Sequence, residues 1–499
     1  MNELNWLVAA PEIFLLIAAC FIALADLWVV DERRRVTFWM SQATVAVFTL
    51  LHAKLLNTGL VTGAAASVNA LQGLMVSDPM GHLLAVAAGI AVMITLAYAQ
   101  PYIGSRELLK GELYVLTLFA LLGVSVMISA NNFLVIYVGL ELMSLSLYAL
   151  VALRRDHAVA TEAAMKYFVL GALASGFLLY GMSMMYGATS SLDLPEVFNA
   201  IQTGKINPTV LTFGVVFIVA GLAFKLGVVP FHMWVPDVYQ GAPTAITLMI
   251  GGFPKLAAFA VTIRILVEGL SGVARDWQQM FMLLAICSLA VGNLAAIAQT
   301  NLKRMLAYSG IAQLGFMLLG FTPTVVAHNT LNAANGYSSA MFYVITYVLT
   351  TLGTFGLIMY MSRQGVESDE VSDLAGLAKR NPWLAGVMTI FMFSLAGVPP
   401  MVGFYAKFAI LQALVSTNEA LYIGLAVTAV MLSLIGAFYY LRVVKVMFFD
   451  EPKDLTPVPA QGGVGVLLAA NGLAALGLGL MPEGLMALCR QTIQVALAG

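Results

Sequence analysis

Long apolar stretches separated by short polar ones set the pattern of this chain. Fourteen apolar runs stand out, at 11–30, 36–56, 79–99, 112–130, 132–153, 162–187, 209–240, 243–269, 277–299, 305–321, 337–361, 383–415, 420–449 and 463–488. A bilayer core of about 30 Å is crossed by roughly 20 helical residues. Backbone in lipid must satisfy its own hydrogen bonds, so each run predicts a helix. The connections are short; the longest, 57–78, 188–208 and 362–382, leave no room for a sizeable soluble domain. The pattern therefore predicts an all-α polytopic membrane protein with about fourteen transmembrane helices.

Composition agrees. Of 499 residues 61% are hydrophobic and only 10% charged, and mean hydropathy is +0.91. Soluble domains carry roughly a quarter of their residues as Asp, Glu, Lys and Arg. A water-soluble globule and a disordered chain are excluded. The net charge of −1 gives no basic surface for nucleic acid. Cys20, Cys287 and Cys489 are far apart and form no Cys-x-x-Cys, which argues against a disulfide framework, a zinc site or an iron–sulfur cluster of the chain's own. The first basic residue is Arg33, so the first run lacks a signal peptide's basic start and is expected to be a retained helix.

Charge also orients the helices. With the N-terminus outside, the inner loops hold Arg33, Arg34, Arg35, Arg106, Lys110, Arg154, Arg155, Lys303, Arg304, Arg363, Lys379, Arg380, Arg442, Lys445 and Lys453. The outer ends hold only Lys54, Lys205, Arg275 and Arg490. This follows the positive-inside rule and places both termini on the outer side. The other five basic residues, Lys166, Lys225, Lys255, Arg264 and Lys407, fall inside runs.

An ionisable group at membrane depth costs at least ~2.5–3.5 kcal/mol and is a functional candidate. Glu141 lies near the middle of the fifth run, Lys255 in the eighth, Lys225 in the seventh and Lys407 in the twelfth. Lys166 is shallower, four residues into the sixth run, placed to snorkel or to pair with Glu162 one turn earlier. A single buried Lys is often only a structural partner for an acid. Several Lys against one Glu make poor glue, because unpaired ammonium groups stay expensive; they suit a relay that takes up and releases protons.

The seventh and twelfth runs are too long for one crossing, and each holds a Gly/Pro interruption, Gly227-Val-Val-Pro230 and Gly397-Val-Pro-Pro400. Lys225 precedes one break and Lys407 follows the other. Irregular backbone at depth survives only inside protein or against a wet cavity. The breaks lie five helices apart, in units that start from opposite sides. This predicts two inverted five-helix repeats, 112–275 and 276–450, flanked by 1–111 with helices one to three and 451–499 with helix fourteen. His232, just after the first break, is a further relay candidate. His52, His82, His157 and His328 read as ordinary structural histidines. Gly171-x-x-x-Ser175 offers a small-residue packing spacing on the sixth run.

The segments KLGVVPFHMWVPDVYQGAPT and GVPPMVGFYAKF, with Glu141 on the fifth run and Lys255 on the eighth, resemble the antiporter-like membrane-arm subunits of proton-pumping NADH–quinone oxidoreductase, respiratory complex I. These are similar to subunits of multisubunit cation/proton antiporters. The resemblance spans essentially the whole chain. It implies a proton path through Glu141, Lys225, Lys255 and Lys407, with Lys166 matching an additional Lys of helix six. The chain ends soon after the fourteenth run, unlike the type with a long lateral helix, and Lys407 stands where another type has Glu.

The resemblance further implies a proton channel driven by partner subunits in the bacterial inner membrane. NADH, FMN, iron–sulfur clusters and quinone then belong to those partners, and the chain itself binds no cofactor or metal. Its neighbours would be other membrane-arm subunits, including further antiporter-like ones, and lipids. Two alternatives use the same residues. A cation/proton antiporter subunit would bind its cation with carboxylates at depth, and only Glu141 is clearly of that kind. A structural scaffold would make the deep charges dispensable.

Overall fold

The computed structural model describes residues 5–61, 67–106, 108–204, 206–325, 332–362, 367–452 and 462–498. Among the described residues, twelve helices are long and apolar enough to cross a membrane, from Ala10–Trp28 to Gly462–Leu480. The two remaining predicted runs are the helix Leu302–Leu318, lengthened by the turn Leu319–Phe321, and the pair Pro382–Ala396 and Val402–Val415. Lys205, His328, Arg363 and Lys453 lie outside the described residues. The eighth span, Thr244–Gly269, is buried along its whole apolar stretch and the eleventh, Ala333–Met361, along most of it. The first, thirteenth and fourteenth spans form the rim, where apolar side chains remain largely exposed.

Several spans start on a local signal. Asp78, Asn207 and Asn381 each accept a hydrogen bond from a backbone N–H of the first helical turn, and each is followed by proline. Such a side chain satisfies an N–H that has no partner inside the helix, and proline at the first position has no N–H to satisfy.

The seventh and twelfth spans break as predicted, and in the same way. Pro208–Leu226 ends at Gly227 (φ +79°), whose N–H donates to Ala223 O and Phe224 O at 2.9 and 3.0 Å. Pro382–Ala396 ends at Gly397 (φ +85°), whose N–H donates to Phe393 O and Ser394 O at 3.0 and 3.1 Å. In both, the next valine N–H reaches back to the same carbonyl, Val228 to Ala223 and Val398 to Phe393. A left-handed glycine is the common way to end a helix. Here it does so inside a crossing, and the chain resumes as Trp234–Gly241 and Val402–Val415.

Three features depart from the predicted runs. The eighth is not one α-helix: it divides into Thr244–Gly251 and Pro254–Thr262, then widens into the π-turn Ile263–Gly269. Pro254 has no N–H to continue the ladder. The last run is two helices, Gly462–Leu480 and Glu483–Ala498, because Pro482 ends the first. The connections 57–78 and 188–208 are structured. One carries an antiparallel hairpin, Val68–Ala70 with Met75–Ser77, and the other the helix Leu194–Gln202, which buries Leu194, Val197 and Ile201. Gly171 of the small-residue spacing lies against the Tyr148 hydroxyl, which leaves no room for a Cβ there.

A clasp ties the end of the bundle opposite the hairpin. The Tyr102 hydroxyl and Arg106 Nε donate to Glu367 Oε1 at 2.6 and 2.9 Å, and the Thr244 N–H donates to the Tyr102 hydroxyl at 3.0 Å. Lys303 Nζ donates to Ala242 O at 3.1 Å and lies 3.8 Å from Asp369. The end of the third span, the start of the eighth and tenth, and the segment after the eleventh thus meet at one carboxylate. Burial pushes the Glu367 carboxyl up, but Lys303, Tyr102 and Arg106 outweigh it and hold the group below its ordinary value of 4.5.

Two predictions follow from these contacts. A carboxylate with a lowered native pKa stabilises above its unfolded pKa, and that stabilisation is lost as pH falls through the native value. The clasp should therefore be intact at neutral pH and weaken only as pH falls below the ordinary value of 4.5. Glu367→Gln should lower the melting temperature of the assembled complex at pH 7, because the amide oxygen still accepts but hydrogen bonds to a charged group, worth about 1.5–3 kcal/mol each, become neutral ones worth about 0.5–1.5 kcal/mol; equal melting of variant and wild type would disprove the clasp. Gly397→Ala should cost about 1–2 kcal/mol for the left-handed backbone and crowd Lys407, whose Cδ lies 3.0 Å from the added Cβ. Gly386→Ala, where a Cβ meets nothing within 4 Å, is the control and should melt like wild type.

Candidate functional site

Helix ends leave carbonyls without donors, and a mid-membrane break creates such ends far from water. Lys255 answers this at the first break. It is 3% exposed, and its Nζ donates to Lys225 O and Leu226 O at 3.0 Å each. The ammonium also lies 5.5 Å from the centre of the Trp234 ring. Trp234 Nε1 takes a third carbonyl there, Phe224 O, at 3.2 Å.

Lys407 answers it at the second break. Its Nζ donates to Leu395 O at 3.0 Å and Ala396 O at 3.1 Å, and it lies 5.7 Å from the Phe316 ring centre. The capped carbonyls occupy the same places at both breaks, two residues and one residue before the left-handed glycine. The lysine arrives from the next span at the first break and from beyond the break at the second. A third donation goes to Ser433 Oγ on the thirteenth span, at 2.8 Å. Among the described residues no carboxylate is ion-paired with Lys255 or Lys407. Each cation is instead held by carbonyl dipoles at the negative end of a half-helix.

Lys225 occupies the last turn before the first break, and its Nζ donates to Ser144 Oγ at 2.7 Å. Ser144 lies one turn after Glu141 on the fifth span, Phe133–Val151. Glu141 Oε1 is buried with no hydrogen-bond partner. Glu141 and Lys225 form no direct ion pair; the Ser144 hydroxyl joins the two helices. Lys225 and Lys255 meet through the Lys225 carbonyl, so these two lysines and Glu141 form one neighbourhood, while Lys407 belongs to the second break.

Lys166 belongs elsewhere. It is ion-paired with Glu162 at 2.8 Å and with Asp237 at 2.7 Å, and Asp237 also takes Arg304 Nη1 at 2.6 Å. The predicted one-turn pair with Glu162 is present, but the cross-span partner Asp237 was not anticipated. His232 is half-buried in the loop of the first break, and its Nδ1 is buried without a partner.

A search for charges passes over the neutral polar groups. Gln313, on the tenth span, donates to Leu395 O at 2.8 Å and to the Tyr440 hydroxyl at 3.0 Å, and the Tyr343 hydroxyl donates to Gln313 Oε1. Leu395 O therefore receives both Gln313 and Lys407. Ser144, Ser433 and Gln313 are legible only as polar residues within apolar runs. Among the described residues, no three His, Cys, Asp or Glu side chains are grouped to hold a metal ion.

Residues 130–433 match the family described as NADH:quinone oxidoreductase/Mrp antiporter, TM. NADH-quinone oxidoreductase subunit N of Herminiimonas arsenicoxydans is 59% identical over the full length of both chains. The protein of that name from Polaromonas naphthalenivorans is 57% identical, covering 99% of this chain and 98% of its own. Among solved structures, a chain of respiratory complex I from Thermus thermophilus with bound aureothin superposes with a TM-score of 0.77 at 30% identity, covering 96% of this chain and 98% of that one. The chain belongs to the NADH-quinone oxidoreductase subunit N family, the antiporter-like proton-pumping membrane subunits of complex I.

Proposed function

We propose that this chain works as a translocase subunit that moves protons through Glu141, Lys225, Lys255 and Lys407, driven by redox chemistry in partner subunits. The observation that carries this reading is the pair of lysine-capped helix breaks. Each ammonium rests on neutral acceptors and, among the described residues, is ion-paired with no carboxylate, so its proton can leave without stranding a buried carboxylate. Lys225 takes a proton from the clasp end, Lys255 receives it across the break, and Lys407 passes it towards the hairpin end. Glu141 biases Lys225 through space. Two unit charges roughly 4–8 Å apart at an effective dielectric of about 20 interact by about 2–4 kcal/mol. Each 1.36 kcal/mol changes proton occupancy about tenfold. Lys166 and His232 border this path, Lys166 through Asp237 and His232 through the loop of the first break.

In this reading 112–275 and 276–450 are inverted halves, with 1–111 and 451–499 flanking them. The matched glycine caps support that division. So does the packing of the fourth span on the fifth and the ninth on the tenth: a Cβ on Gly123 would lie 2.6 Å from Gly139 O, and one on Gly292 2.9 Å from Tyr308 O. The basic clasp end faces the cytoplasm and both termini the periplasm. NADH, FMN, iron–sulfur clusters and quinone reside in partner subunits, and other antiporter-like subunits and lipids flank the chain in the inner membrane.

The test is NADH-driven proton pumping by vesicles carrying variant complex, after a native gel has confirmed assembly. Lys225→Ala and Glu141→Ala should each cut pumping at least tenfold. Wild-type pumping in both would point to the scaffold reading. Lys407→Arg separates a cap from a relay, because Arg can donate to the same carbonyls but does not release its proton. It should assemble and melt like wild type yet pump poorly; normal pumping would reduce Lys407 to a helix cap.

A further inference from the structure

The first three spans lie outside the segment 130–433 that matches the family, yet they bury a polar row of their own. Glu12, near the start of the first span, is 8% exposed, and Ser125 Oγ on the fourth span donates to its Oε1 at 2.8 Å. His52, near the end of the second span, is 3% exposed, with Nε2 3.7 Å from Glu12 Oε1. His52 Nδ1 lies 3.0 Å from His82 Nδ1 on the third span, and His82 Nε2 lies 2.8 Å from Ser77 Oγ. Ser77 closes the hairpin and is half-buried. Glu12 Oε2 and His52 Nε2 are buried and have no hydrogen-bond partner.

We propose that Glu12 is a proton-loading site, reached from the hairpin end of the bundle through Ser77, His82 and His52. Two facing Nδ1 atoms at hydrogen-bond distance share one proton between neutral rings, so the tautomers of the two histidines are coupled. In one state Ser77 donates to His82 Nε2, His82 Nδ1–H donates to His52 Nδ1, and His52 carries its proton on Nε2, facing the Glu12 carboxylate. Loading shifts every proton one place along the row. His52 Nε2–H gives its proton to Glu12, His82 gives its Nδ1 proton to His52, and Ser77 gives its proton to His82 Nε2. Solvent at the hairpin restores the Ser77 hydroxyl. One proton enters, Glu12 becomes a neutral acid, and both rings remain neutral. Unloading reverses each step.

The charged groups facing this row come from the third and eighth spans. Asp78 caps the third span through the Gly81 N–H at 2.8 Å and accepts from Arg264 Nη2 at 2.7 Å. Arg264 Nη1 donates to Glu268 Oε1 at 2.7 Å, and its Nε donates to Ile128 O at 3.3 Å. Arg264 is thus committed to two carboxylates and does not neutralise Glu12. From the fourth span Ser125 donates to Glu12. Among the described residues Glu12 has no cationic partner, the neutral His52 ring being its nearest titratable neighbour, which suits a carboxyl that alternates between charged and neutral forms.

The experiment is infrared difference spectroscopy of the assembled complex in membranes after a pH drop. The wild type should gain a carboxylic acid C=O band that Glu12→Gln lacks and Glu141→Gln keeps. This outcome is independent of whether the lysine path pumps. Ser77→Ala and His52→Leu should retain the band but slow its appearance, and its shift in deuterium oxide, at least tenfold. A band unchanged in Glu12→Gln, or loading at the wild-type rate in both row variants, would overturn the proposal. Should Glu12→Gln not assemble, Ser77→Ala at the half-buried mouth decides the matter by its rate alone.

Discussion

Two helices broken inside a membrane create a shortage of donors, and the surrounding structure is arranged to meet it. The carbonyls of Lys225 and Leu226, and of Leu395 and Ala396, lie at the ends of half-helices, where no continuing helix donates to them. Leaving such groups bare in lipid costs several kcal/mol each. Lys255 and Lys407 satisfy them as ammonium groups, each with two donations of 3.0–3.1 Å. Each ammonium thereby fills a structural need while resting on neutral acceptors, the arrangement on which the proposed relay depends.

The neutral partners follow from the same constraint. Ser144, Ser433 and Gln313 supply hydrogen bonds around the lysines without supplying counter-charge. A carboxylate at any of these places would lock the ammonium as an ion pair. Fixed charges are concentrated instead at the ends of the bundle. At one end Glu367 gathers Tyr102 and Arg106, while Asp237 gathers Lys166 and Arg304; at the other Arg264 gathers Asp78 and Glu268. The ion pairs hold the helix ends, and the lysines of the interior are left with neutral partners.

Much of the fold was legible because lipid makes secondary structure a local matter. Run lengths predicted the crossings, and Gly-x-x-Pro predicted the breaks at 227 and 397. Reading failed where proline acted in ways the pattern hid. Pro254 divides the eighth span within an apolar run, and Pro482 turns the last run into two helices. The candidate charges were legible because a Lys or Glu in an apolar run is conspicuous. His52 and His82 were not, since each alone looks like an ordinary residue near a helix end. The family resemblance pointed to the lysine row and left the first three spans unread.

By itself the sequence determined the membrane class, the crossings, the interrupted helices and the depth of Glu141, Lys225, Lys255 and Lys407, because all of these depend on neighbours within a few residues. Only the tertiary structure decided the partners. Lys225 meets Ser144 rather than Glu141, Lys255 reaches the carbonyls of the preceding span, Arg106 meets Glu367 across 261 positions, and three separate spans bring Glu12, His52 and His82 into line. Which side chains touch depends on the depth and rotation of each helix against its neighbours. Those are set by packing of the whole bundle and leave no trace in any single run.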